Sequence, residues 1–125
     1  MMNFKVLIID DDYINRRLLI SLLKKTLYKT ETIESVDRED ALEKCKENPD
    51  IQLIFLNIEM QNINNLNFLI NYKADKALAD VPIIAISSDD LRIKEMLTLG
   101  AYSFIVKPIT EKKLLTAIMK SQTKQ

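Results

Sequence analysis

Residues 6–12, VLIIDDD, run from four consecutive apolar side chains directly into three acids. An apolar run without alternation is typical of an interior parallel strand that helices cover on both faces. Similar short runs recur along the chain, separated by longer stretches with helical spacing. We therefore predict strands at residues 4–9, 32–36, 53–56, 82–86 and 102–106, with the second half exposed as at a sheet edge.

The stretches between these runs predict amphipathic helices. Their apolar stripes are Ile14, Leu18, Leu22 and Leu23; Leu66, Leu69 and Ile70; Ile93, Met96 and Leu97; and Leu114, Leu115, Ile118 and Met119. Asp37 is the predicted N-cap of a further helix that carries Ala41, Leu42 and Cys45 and stops at Asn48-Pro49. The repeating strand–helix order predicts an α/β protein with an open, doubly wound parallel sheet and right-handed crossovers.

Size and composition limit the possible functions. A chain of 125 residues with 47% hydrophobic content predicts one domain, residues 1–125. Eighteen basic and eighteen acidic residues cancel, so neither nucleic-acid nor membrane binding is expected. One cysteine and no histidine exclude disulfides within the chain, Cys/His zinc sites and histidine-based catalysis. We expect a cytoplasmic protein, because no signal peptide or membrane-spanning run is found.

Polar residues follow the predicted strands. Ligands of doubly wound sheets bind at the carboxyl ends of the strands. The residues found there are Asp10, Asp11 and Asp12, then Asn57, then Ser87 and Ser88, then Lys107. The acids alone fit equally well with an ordinary helix start. Together with the hydroxyls and the ammonium they favour chemistry on an anionic phosphoryl group.

Four segments together resemble the receiver domain of bacterial two-component response regulators, of the single-domain chemotaxis type. They are residues 6–12, 53–60, 81–88 and 99–108. The resemblance covers nearly the whole chain. It implies a five-stranded (βα)5 fold, the flavodoxin-like or CheY-like three-layer sandwich, in which an aspartate accepts a phosphoryl group from a histidine kinase or a phosphotransfer protein.

The same resemblance implies a role for each residue of the site. Asp10 and Asp11 would hold Mg²⁺ together with position 57 and the backbone carbonyl of Glu59, while Asp12 would lie at the rim. Asn57 stands at the phosphoacceptor position, Ser87 at the switch hydroxyl, Lys107 at the phosphate-contacting lysine and Phe104 at the switch aromatic. Phe104 is interpreted either as a mobile ring or as a core residue. The resemblance also implies a cis Lys107-Pro108 bond and a glycine at Gly100.

Asn57 changes the expected function. An amide oxygen is a poor nucleophile, because the nitrogen lone pair is delocalised into the carbonyl, so phosphorylation at this position should be abolished. The amide also removes one negative charge from the metal site, so Mg²⁺ binding should be weak or absent. The loop at residues 61–65 has none of the glycines usual in the family, and Asn62 and Asn65 are expected to replace them.

Three further charged residues, Glu59, Asp89 and Lys107, lie near the predicted site. Glu59 and Asp89 stand two places after the phosphoacceptor and the switch hydroxyl, where the family controls access of water, and solvated side chains are favoured for both. Lys107 can still pair with Asp10 or Asp11, because position 57 offers it no carboxylate.

The favoured function is therefore an atypical receiver that binds proteins without phosphorylation and is not an enzyme. The expected partner is a histidine kinase, a phosphotransfer protein or a downstream effector. The expected surface is formed by the fourth helix, fifth strand and fifth helix, and its members are Asp90, Arg92, Lys94, Glu95, Tyr102, Lys112 and Lys113.

Two alternatives remain open. Asn57 could be an engineered replacement in a normal phosphorylated receiver, although the altered loop beside it argues against a single change. Asp10 and Asp12 also have the D-x-D spacing of haloacid-dehalogenase-like phosphatases, with Ser87 and Lys107 in supporting roles. That interpretation is weak, because the acidic motif expected after the lysine is missing and the chain has no room for a cap domain.

Overall fold

A computed structural model describes residues 3–26, 29–59, 71–72, 74 and 80–122. The five strands are β1 (Asn3–Ile9), β2 (Lys29–Ser35), β3 (Leu53–Asn57), β4 (Ile83–Ser87) and β5 (Ser103–Val106). The helices with defined bounds are α1 (Tyr13–Leu23), α2 (Arg38–Glu47), α3 (Asp90–Thr98) and α4 (Glu111–Gln122), and residues 71–72 and 74 are also helical. The predicted stripe at residues 66–70 and the loop at residues 61–65 lie outside the described residues, so α3 and α4 are the fourth and fifth helices of the sequence prediction.

The strands form one parallel sheet with the order β2-β1-β3-β4-β5. All five predicted strands are present, and β2 lies at an edge as expected. The α/β class and the doubly wound five-stranded sheet are thus confirmed.

Helices cover both faces of the sheet, as the apolar strands require. Side chains of β3 and β4 are buried along their whole length. On one face they pack against α2 and α3 through residues such as Ala41, Cys45 and Met96. On the other face they pack against α1 and α4 through residues such as Leu23, Leu114 and Ile118. The result is the expected three-layer sandwich.

Local signals set the ends of several elements. Asp37 accepts a hydrogen bond from the Asp40 backbone at 2.8 Å, which confirms it as the N-cap of α2. Gly100 follows α3 with a φ of 121°, a region that favours glycine, and it is the only glycine of the chain. The Lys107-Pro108 bond is cis, as the resemblance implied.

The predicted buried stripe of α1 is wrong in part. Ile14 and Leu18 are about 60% exposed, whereas Leu19, Ile20 and Leu23 are buried. The segment carries apolar side chains on two sides, so the spacing alone fits burial of either side. The side with Leu19, Ile20 and Leu23 is the one that packs against the sheet. No helix in the described part of the chain is long and apolar enough to cross a membrane.

A charged cluster fastens α1 to the sheet beside Asp10. Arg16 donates from Nη1 to the Asp10 carbonyl at 2.8 Å and from Nε to Glu34 of β2 at 2.8 Å. Arg17 also donates to Glu34. The hydrogen bond from Arg17 lowers the pKa of Glu34 more than burial raises it, and Arg16 lowers it further. The cluster therefore favours the ionised carboxylate in the folded state.

This cluster predicts a pH-dependent contribution to stability. Because folding lowers the pKa of Glu34, its contribution is complete above the unfolded value of 4.5 and is lost as the pH falls below it. Replacing Glu34 by Gln should cost about 1 kcal/mol at pH 7. Urea unfolding from pH 7 to pH 3 measures this difference, which should shrink with acidification. A difference that stays constant with pH, or that equals the effect of Glu43→Gln at an exposed position of α2, would contradict the assignment.

Candidate functional site

The polar residues predicted from sequence meet where the central strands end. Asn57 of β3 is aligned with Ile86 of β4, and the Ile58 backbone donates to the Ile86 carbonyl at 3.0 Å. One strand further, the Lys107 backbone donates to the Ser87 carbonyl at 2.9 Å. Glu59, Ser87 and Lys107 are therefore brought to one rim of the sheet.

The three consecutive acids have three different environments. Asp10 is buried, and its Oδ1 accepts a hydrogen bond from the Asp12 backbone at 2.9 Å. Asp11 is exposed. Asp12 is the N-cap of α1 and accepts from the Ile14 backbone at 2.8 Å. Of the three, only Asp10 is a buried carboxylate, while Asp12 lies at the rim as expected and has a structural role there.

Asn57 is almost fully buried, with 5% of its surface exposed. Its side-chain Oδ1 accepts a hydrogen bond from the Glu59 backbone at 2.9 Å. The amide oxygen thus closes a short turn after β3 and orients the residue that follows. Asn57 therefore has a structural role at the end of β3.

The Glu59 carboxylate accepts hydrogen bonds from four donors. Oε2 accepts from the Ser87 hydroxyl at 3.1 Å, from the Ser88 backbone at 2.8 Å and from the Ser88 hydroxyl. Oε1 accepts from the Lys107 ammonium at 3.1 Å, which completes an ion pair between two partly buried side chains. One carboxylate thereby links the ends of β3, β4 and β5.

These contacts set the charge of Glu59. Burial alone raises the pKa of its carboxyl group, but the hydrogen bonds from Ser88 and from Lys107 outweigh burial. The net effect lowers the pKa of Glu59 to about 2. Glu59 is therefore a stable anion at neutral pH.

Two interpretations from sequence are wrong at this point. Glu59 was expected to be solvated, but its carboxylate is hydrogen bonded and ion paired. Asp10 and Asp11 were the partners considered for Lys107, but it pairs with Glu59. Asp89 is exposed, and its carboxylate also caps α3 through the Leu91 backbone at 2.9 Å. The sequence placed Ser88 beside Ser87 at the end of the fourth strand but predicted no role for it, and its backbone and hydroxyl both donate to Glu59.

Phe104 lies on β5 with 43% of its surface exposed. The core-packing interpretation of this residue is therefore wrong. Its strand neighbour Ile105 is the one that packs into the core.

The donors available to a magnesium ion fit tight binding poorly. Asp10 is a buried carboxylate with one oxygen already hydrogen bonded, Asp11 is exposed, and Asn57 offers only a neutral amide oxygen that accepts from Glu59. Within the ranges described, no three acidic, histidine or cysteine side chains come together as a metal site. Mg²⁺ favours carboxylate oxygens, so a neutral amide and engaged oxygens disfavour it.

A cavity of about 450 Å³ adjoins the site between α1 and the segment that follows β5. Asp10 and Lys107 line it, together with apolar side chains such as Leu18, Leu22 and Ile109. Asp10 and Lys107 are therefore accessible from this cavity.

Comparison with known proteins agrees with this architecture. The chain is 27% identical over 106 residues to the two-component response regulator ORR7 of rice, covering 83% of this chain and 50% of the relative. It is 27% identical over 115 residues to the glycerol metabolism activator of Pseudomonas putida, covering 92% and 52%. The chain thus spans about half the length of these relatives. Because they come from a plant and a bacterium, they do not restrict the chain to bacteria.

Solved structures share the fold. The chemotaxis response regulator CheY4 of Vibrio cholerae has a TM-score of 0.80 at 22% identity, covering 94% of this chain and 98% of that one. The model of the response regulator receiver domain matches residues 6–119. The chain therefore belongs to the response regulator receiver domain family.

Proposed function

We propose that this domain, residues 1–125, is a receiver that binds its protein partners without being phosphorylated at position 57. The observation that carries the proposal is the buried amide of Asn57 at the end of β3. An amide does not form an acyl phosphate by attack on phosphorus, because its oxygen is a poor nucleophile. The domain therefore acts in two-component signalling through its surface.

The ion pair of Glu59 and Lys107 supports the proposal. The lysine that would contact a phosphoryl group already has an anionic partner within the chain. The Ser87 hydroxyl donates to the same carboxylate. The site is thus neutralised internally, and no external anion is required to compensate the lysine.

The proposed partner surface consists of α3, β5 and α4. Phe104 is exposed at its centre, beside a cavity of about 340 Å³ that Lys112, Lys113 and Lys120 also line. An exposed ring beside three lysines suits a partner that presents apolar and acidic side chains. A histidine kinase, a phosphotransfer protein or a downstream effector in the cytoplasm is the proposed partner. Tyr102 has a structural part, since its hydroxyl donates to the Lys120 carbonyl at 2.8 Å.

The roles of the site residues do not favour a phosphatase. The D-x-D hypothesis needs both Asp10 and Asp12 in the site, but the carboxylate of Asp12 caps α1. Lys107 is bound to Glu59. We therefore propose a binding module with no catalytic activity of its own.

The first test is phosphorylation itself. The protein and an Asn57→Asp variant are incubated with acetyl phosphate and Mg²⁺, and intact mass is measured. The unmodified protein should gain no phosphoryl group, because it has no carboxylate at position 57. A gain in the variant alone attributes the block to Asn57, whereas phosphorylation of the unmodified protein contradicts the proposal. Asn57→Ala, which also lacks a carboxylate, is the control.

The second test concerns magnesium, for which we propose weak binding through Asp10, Asp11, Asn57 and the backbone carbonyl of Glu59. Adding a third carboxylate in Asn57→Asp should lower the dissociation constant for Mg²⁺ by roughly tenfold or more. Calorimetric titration of both proteins measures this change, and Asp10→Asn in the variant should reverse it. Equal affinities of the native protein and Asn57→Asp would show that position 57 does not bind the ion.

A further inference from the structure

The donors around Glu59 form a group suited to an oxyanion. They are two hydroxyls, one backbone N–H and one ammonium, contributed by Ser87, Ser88 and Lys107. Such donors bind phosphate oxygens as readily as carboxylate oxygens, because both acceptors are anionic and take several hydrogen bonds at once. The set lies at the ends of two adjacent strands, β4 and β5.

The Ser87 hydroxyl and the backbones of Ser87 and Lys107 are held in place by contacts that do not involve Glu59. Ser87 is fully buried, and its hydroxyl oxygen accepts from the Asp89 backbone at 2.9 Å, so its own hydrogen is directed elsewhere. The backbones of Ser87 and Lys107 are joined across the strands at 2.9 Å. A preorganised set of donors retains its binding capacity when the acceptor changes.

Glu59 differs from an ordinary surface ion pair in the number of its partners. An exposed pair usually has one contact and contributes little. Here four hydrogen bonds converge on one carboxylate that is about one quarter exposed. The turn closed by Asn57 orients the backbone of Glu59 toward the same rim.

Ser87 and Lys107 stand where the family contacts its phosphoryl group, and we propose that Glu59 is a resident anion at this position, held by Ser87, Ser88 and Lys107, which excludes inorganic phosphate and phosphoryl donors. The inference rests on the proposed function, because it describes how a receiver that works unphosphorylated would keep this position occupied. Phe104 is exposed in the same structure in which Glu59 occupies these donors.

The test removes the carboxylate and offers phosphate in its place. Backbone amide resonances of the native protein and of Glu59→Ala are followed by NMR during titration with inorganic phosphate at constant ionic strength. The Ser88 amide should shift in the variant, with a dissociation constant at least about tenfold lower than in the native protein. Glu43→Ala makes the same charge change at an exposed position of α2 and should bind phosphate no better than the native protein.

Further variants identify the site. Lys107→Ala added to Glu59→Ala should abolish the response at Ser88. Glu59→Gln keeps the size of the side chain and removes its charge. It replaces the alanine variant in the titration if that variant does not fold, and it should bind phosphate better than the native protein.

Several results would overturn the inference. They are an equal response of Ser88 in the native protein, no response in either folded Glu59 variant, or a response that persists without Lys107. None of them bears on whether Asn57 accepts a phosphoryl group, so this inference and the proposed function fail separately.

Discussion

Burial of the central strands on both faces is the constraint on which the site depends. Along β3 and β4 every side chain is buried, and the polar ones, Asn57 and Ser87, come at the carboxyl ends. Parallel pairing then brings these ends to one rim, because neighbouring strands run in the same direction. The chemistry of the domain is therefore confined to a few side chains that interact strongly, and a change in one of them alters the partners of the others.

The half-buried ammonium of Lys107 illustrates this dependence. A charge removed from water needs a counter-charge and hydrogen bonds to offset its lost hydration. An amide at position 57 supplies no charge, and Glu59 supplies it instead. The same carboxylate accepts from Ser87 and Ser88, which offsets its own burial. Asn57 contributes indirectly, since its side-chain oxygen holds the Glu59 backbone.

The sequence predicted the sheet well and the ion pair poorly, for different physical reasons. Each strand is a short apolar run with polar residues after it, so local pattern was sufficient, and β2 was recognised as an edge strand because it is less apolar. The pair of Glu59 and Lys107 joins residues 48 positions apart. Its formation depends on the order of β3, β4 and β5 and on which carboxylate reaches the lysine, neither of which is a local property. The buried face of α1 was missed because both of its sides are apolar.

The buried amide of Asn57 and the hydrogen bonds of Glu59 both bear on how Asn57 came to stand at this position. If Asn57 were a single replacement in an otherwise normal receiver, the remaining donors would be expected to stay available for a phosphoryl group. Instead the carboxylate of Glu59, two residues after Asn57, occupies these donors, and Asn57 helps to orient the Glu59 backbone. In our proposal, an aspartate at position 57 would restore the nucleophile, but a phosphoryl group would also have to displace Glu59 from four hydrogen bonds. Under the proposed function, the amide at position 57 and the occupation of the site by Glu59 would be separate barriers to phosphorylation, and their combination favours our proposal of a chain that works unphosphorylated over one altered at a single position.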